Sequence, residues 1–239
     1  SQIGGDLIDL TLLLPLGADP HAFEPTPRDV SAVADAHVVF ANGAGLEAFL
    51  EPLLSSAGAD AKAVPVSLGI MLLQAESDRE AEDEEHDDDH AAGDPHTWVD
   101  PNNVMVWVGN IEAALQALDP AHSDQYAASA QAYLAELRAL DGWVREQLAT
   151  IPAGNRQIVT DHQLFAYFAE EYGFVQVGAV VPAYSTMAQP TARELADLED
   201  AIRSLHVKAI FVGNTVNPAL ADVAANAPSF ERPLISACP

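Results

Sequence analysis

Apolar residues in this chain fall into short runs separated by longer stretches in which they recur every three or four positions. This alternation predicts strands and helices in turn. Leu10 to Leu14, apolar except for Thr11 and ended by Pro15, reads as a buried strand, with Gly17 opening the loop behind it. Thr26, Pro27, Arg28 and Asp29 supply an N-cap, a proline at the first helical position and an acid in the first turn, so a helix is expected to about Asp35. His37 to Ala41 reads as a second strand, Leu46 to Leu54 as a helix, and Val64 to Ser67 as a third strand.

Farther on, Pro101 to Leu118 reads as a helix. Pro120 starts another, in which Tyr126, Tyr133, Leu137, Leu140, Val144 and Leu148 keep a helical period as far as Ile151. About thirty helical residues span roughly 45 Å, more than one small domain needs, so this segment reads as a strut between two domains. The strand and helix pattern then resumes with strand Gln157 to Thr160, helix Leu164 to Tyr172 stopped by Gly173, and strand Val175 to Val180. A helix capped by Thr191, with Glu194 three residues on, runs to about His206. Strand Ala209 to Val212, helix Ala219 to Asn226 and the start of a last strand near Ser236 follow.

The fold class expected is therefore α/β, with two domains that each hold a small parallel sheet flanked by helices, joined by one long linking helix. The boundaries are 1–118 for the N-terminal domain, with an acidic loop at 76–93, then 119–151 for the linking helix and 152–239 for the C-terminal domain.

Charge narrows the partners. The net charge of -26 over 239 residues disfavours nucleic acid and anionic membrane surfaces and favours cations. Glu76 to His90 holds ten of the acids and one arginine, and such a like-charge run reads as a solvated loop. Cys238 is the only cysteine, so any metal must be held by nitrogen and oxygen. No run of eighteen apolar residues is present, and the N-terminal residues lack the basic and apolar regions of a secretory signal.

One phrase occurs twice: Asp19-Pro20-His21 with Phe23 and Glu24 close behind, and Asp94-Pro95-His96 with Trp98 and Asp100 close behind. Proline stiffens each turn, which presents an imidazole in a fixed direction. A third histidine, His162, follows Asp161 at the end of a predicted strand. His21, His96 and His162 are the candidate metal ligands, since three imidazoles and one oxygen make a four-coordinate site that suits zinc. Asp19, Asp94 and Asp161 each precede a candidate ligand and could accept its second ring N–H. His86 and His90 lie in the acidic run, either as weak ligands that collect metal or as incidental members of a solubilising insertion. Gly43-Ala44-Gly45-Leu46-Glu47-Ala48 fits the dinucleotide pattern GxGxxA, but Ser67 stands where that fold needs an acid. HExxH, GxSxG and the P-loop are absent.

The stretch GADPHAFEPTPRDVSAVADAHVVFANGAGLEAFL, the acidic insertion, DPHTWVDP and VTDHQLFAYFAEEYG together resemble the metal receptors of bacterial ABC importers, the zinc and manganese solute-binding proteins called ZnuA-like or TroA-like. The resemblance implies two α/β domains joined by a long helix, His21, His96 and His162 as ligands, and a membrane permease as partner. It also implies an extracytoplasmic, non-enzymatic protein that works as a monomer and does not bind nucleic acid. Manganese receptors often carry Glu at the third position, so His162 favours Zn²⁺ over Mn²⁺. The same resemblance expects a further strand before Ser1 and a fourth ligand, commonly Asp, beyond Pro239.

Overall fold

The computed structural model describes residues 1–74 and 93–213, together with the backbone of 235–236. Helices are α1 (Pro27–Asp35), α2 (Leu50–Ala57), α3 (Pro101–Leu118), α4 (Ser123–Leu148), α5 (Ala166–Tyr172) and α6 (Ala192–Ser204). Strands are β1 (Val39–Ala41), β2 (Ala63–Pro65), β3 (Gln157–His162), β4 (Val175–Val181), β5 (Ile210–Val212) and β6 (Ile235–Ser236). All strand pairs are parallel: β1 with β2 in one sheet, and β4-β3-β5-β6 in the other. The α/β expectation of small parallel sheets flanked by helices, with one long helix, holds.

The chain divides into two compact units. The first comprises Ser1–Pro15 and Phe23–Val144; the second comprises Leu16–Ala22 with the described residues from Arg145 onward. Within the first unit, Val33 of α1 and Leu53 and Leu54 of α2 bury against Val39 of β1. A second cluster packs Val108 and Leu115 of α3 against Tyr126, Ala130 and Leu137 of α4. Leu140 keeps the helical period but lies 45% exposed. In the second unit, Leu198 and Ile202 of α6 cover Val159, Val180, Ile210 and Val212 of the sheet.

Local chemistry accounts for the helix ends. The Asp29 carboxylate accepts hydrogen bonds from the amide and hydroxyl of Thr26, and Glu194 and Thr191 cap each other reciprocally at the start of α6. Gly58 and Gly173 end α2 and α5 in the left-handed conformation. Arg156 donates to the carbonyls of Leu148, Ile151 and Tyr172, which ties the C-terminal ends of α4 and α5 to the start of β3.

Three expectations need correction. Leu10 to Leu14 forms no strand, and Leu10 and Leu12 are exposed. A strand needs a ladder partner, and among the described residues β1 pairs only with β2. Residues 7–14 and 37–41 instead line a cavity of about 990 Å³. The His21 loop consequently does not leave a strand end. The helix expected from Leu46 begins only at Leu50; Gly43, Ala44 and Gly45 ahead of it all have positive φ (79°, 54° and 77°), and Glu47 turns back to the Asn42 and Gly43 amides. The long helix starts at Ser123, after a single 3₁₀ turn at Pro120–His122. The expected helix Ala219 to Asn226, the acidic loop with His86 and His90, and Cys238 lie outside the described residues.

Candidate metal centre

In the second unit, the Asp19-Pro20-His21 turn is held from two sides. Asp19 Oδ1 accepts from the backbone amide of His21 at 2.9 Å, and its Oδ2 accepts from the hydroxyl of Thr186. Asp19 thus anchors the loop through the His21 backbone and through Thr186. The structure brings His21 beside His162, with ring centroids 5.8 Å apart and planes at 87°.

His162 is the last residue of β3 and is buried. Asp161 Oδ1 accepts from His162 Nδ1 at 2.8 Å and from its amide at 2.7 Å, while Asp161 Oδ2 accepts from the amide of Gly213, at the end of β5, at 2.6 Å. Burial alone would raise the Asp161 carboxyl. The His162 imidazole, by hydrogen bond and charge, together with the Gly213 and His162 amides, holds it below the ordinary carboxylate value. A carboxylate can only accept, so in the neutral ring of His162 the proton sits on Nδ1, the tautomer that leaves the Nε2 lone pair for an electrophile. Thr160, whose hydroxyl donates to the His162 carbonyl at 2.6 Å and accepts from Gln176 at 2.8 Å, completes the support.

In the first unit, Asp94, His96 and Thr97 are fully buried. Asp94 Oδ1 accepts from His96 Nδ1 at 2.7 Å and from its amide at 2.9 Å, which fixes the same tautomer as at His162. Trp98 lies edge-on to the His96 ring, 5.2 Å between centroids. Behind the loop, Asn42 Nδ2 donates to the Pro95 carbonyl at 2.9 Å. Thr97 shares a hydrogen bond with Ser67 at 2.8 Å, and Ser67 accepts from the Trp107 indole at 3.1 Å.

Asp94 and Asp161 therefore bind the ring nitrogen of the following histidine as expected. The supports Asn42, Glu47, Ser67, Thr97 and Trp107 were not anticipated. A usable signal was present for two of them, since Asn42 and Glu47 flank the glycine-rich turn already noted in the sequence. His122 pairs with Asp119, and Tyr126 donates to the same carboxylate, so that histidine is a structural one.

The family described as zinc-uptake complex component A, periplasmic, matches residues 1–236. This chain belongs to that family. As a member of the zinc-uptake component A family it is 34% identical to the manganese-binding lipoprotein MntA of Halalkalibacterium halodurans, over 94% of this chain and 70% of MntA. It is 31% identical to the iron-binding protein YfeA of Yersinia pestis, over 90% of this chain and 66% of YfeA. Among solved structures, the periplasmic zinc-binding protein TroA of Treponema pallidum superposes with a TM-score of 0.81 at 27% identity, covering 95% of this chain and 77% of TroA. The chain thus spans about two thirds of the length of these curated relatives. The extracytoplasmic setting expected from the sequence agrees with the periplasmic description of the family. Among the described residues, no helix is long and apolar enough to cross a membrane.

Proposed function

We propose that this protein is the receptor of a metal importer, that His21, His96 and His162 bind one cation as its cargo, and that this cargo is Zn²⁺. The observation that carries the reading is the pair of buried carboxylate–imidazole contacts, Asp94 with His96 and Asp161 with His162. Each directs the proton of the neutral ring to Nδ1 and leaves Nε2 as the donor atom, the tautomer a metal ligand needs. The acidic surface of the chain favours cation approach. Nitrogen-rich donor sets favour zinc over manganese, because affinity rises toward the end of the first-row divalent series.

No bond of the cargo is made or broken, so the function is capture and delivery to a membrane permease by an extracytoplasmic monomer. Manganese is the second reading, favoured by the name of the MntA relative. Competition of Zn²⁺ and Mn²⁺ for metal-stripped protein separates the two. Zinc displacing manganese at equal concentration supports the zinc receptor, whereas retention of manganese assigns the chain to the other cargo. Uptake of labelled zinc in cells carrying the permease, lost on deleting this protein, tests delivery.

A further inference from the structure

The glycine-rich turn after β1 is built like an anion cradle, and the molecule fills it with its own carboxylate. Three successive residues with positive φ, Gly43 to Gly45, turn the backbone back on itself. Glu47 Oε1 accepts from the amide of Asn42 at 2.6 Å, and its Oε2 accepts from the amide of Gly43 at 3.1 Å. The amides that a phosphate would need are therefore already occupied, which removes the dinucleotide reading of this motif. Burial pushes the Glu47 carboxyl up, while the Asn42, Gly43 and Glu47 amides offset part of that shift.

The turn fixes Asn42, and Asn42 reaches both neighbours of His96. Its Nδ2 donates to the Gly43 carbonyl at 2.7 Å and across 53 residues to the Pro95 carbonyl at 2.9 Å. Its Oδ1 accepts from the Thr97 hydroxyl at 3.5 Å. Asp94 orients the His96 ring, but a ring is placed only as well as the backbone that carries it. Asn42 supplies the link from that backbone to the end of β1, and Glu47 locks Asn42.

We infer that Glu47 and Asn42 are positioning residues for His96, setting how well it binds metal without touching the ion. This rests on the reading of His96 as a ligand. In Glu47→Gln, one amide acceptor becomes an NH₂ group that meets a backbone N–H. In Asn42→Ala, the Pro95 carbonyl loses its donor.

The test is zinc affinity of the full chain, by competition with a chromophoric chelator, for Glu47→Gln and Asn42→Ala, alone and combined with His96→Ala. Thr191→Ala, which loses only the exposed cap at the start of α6 in the second unit, serves as control. Each positioning variant is expected to weaken zinc about 10- to 100-fold at unchanged stoichiometry. In the His96→Ala background the same substitutions should change affinity by no more than about twofold, and the control should match wild type. The His96 imidazole resonances of the metal-free protein, read by nitrogen-correlated NMR, should move in Glu47→Gln and stay in place in the control.

Wild-type affinity in both positioning variants, with His96→Ala impaired, overturns the positioning role alone. So does an equal loss with and without His96. Wild-type zinc binding by His96→Ala overturns the ligand role itself and the inference with it.

Discussion

His21 and His162, 141 positions apart in the chain, stand edge to face with ring centroids 5.8 Å apart in the second unit. Under the proposed reading the two imidazoles share one ion and should not contribute independently. Replacing either with alanine is expected to weaken zinc by more than the 10- to 100-fold typical of losing an outer partner. Replacing both should cost far less than the product of the single losses. A calorimetric double-mutant cycle checks this; strictly multiplicative losses would place the two rings on different ions.

Asp161 serves His162 and Gly213 at once. Asp161→Asn should therefore weaken zinc about 10- to 100-fold and lower the stability of metal-free protein by about 1.5 to 3 kcal/mol at neutral pH. The folded carboxyl titrates below its ordinary value of 3.8. Its contribution to stability is thus complete above that value and is lost as pH falls through the depressed folded value. Denaturant midpoints of wild type and variant should differ at neutral pH and converge on acidification below about pH 4. A gap that persists undiminished once the carboxyl is protonated would contradict the assignment.

The turn after β1 depends on Gly43. Its φ of 79° is costly for a residue with a side chain, and an added Cβ would lie 2.8 Å from Cβ of Pro65, which cannot swing away. Gly43→Ala is expected to destabilise the protein by about 2 to 4 kcal/mol, measured by urea unfolding. A change below about 0.5 kcal/mol, the scale of an ordinary surface substitution, would show that the turn has room to relax.

At the start of α6, Thr191 and Glu194 form a reciprocal cap on an exposed surface. Thr191→Ala should cost about 1 kcal/mol without altering zinc affinity. A change in zinc affinity would show that the α6 cap is linked to the metal ligands.

What could be read from the sequence was what neighbouring residues decide among themselves. The Thr26 to Asp29 signal placed α1 to its last residue, and the helix read from Pro101 to Leu118 is α3, whose cap the structure supplies through the Asp100 carboxylate accepting from the Asn102 amide. The Asp-His spacings exposed the ring-orienting roles of Asp94 and Asp161 for the same reason. Contacts between distant segments were not legible. Leu10 to Leu14 has a strand's composition, but composition supplies no ladder partner. Asp19 meets Thr186 across 167 residues and Asn42 meets Pro95 across 53, separations at which no spacing rule operates. The late start of α2 was hidden because Glu47, which fits a helical pattern, instead turns back to the Asn42 and Gly43 amides.

The central claim is that three imidazoles hold one ion. Calorimetric titration of metal-stripped full-length chain with Zn²⁺, beside a variant with His21, His96 and His162 all changed to alanine, addresses it directly. The account predicts one tight site in the wild type and its complete loss in the variant, with any weak sites retained by both. Equal tight binding by the two proteins would contradict it and place the zinc elsewhere in the chain.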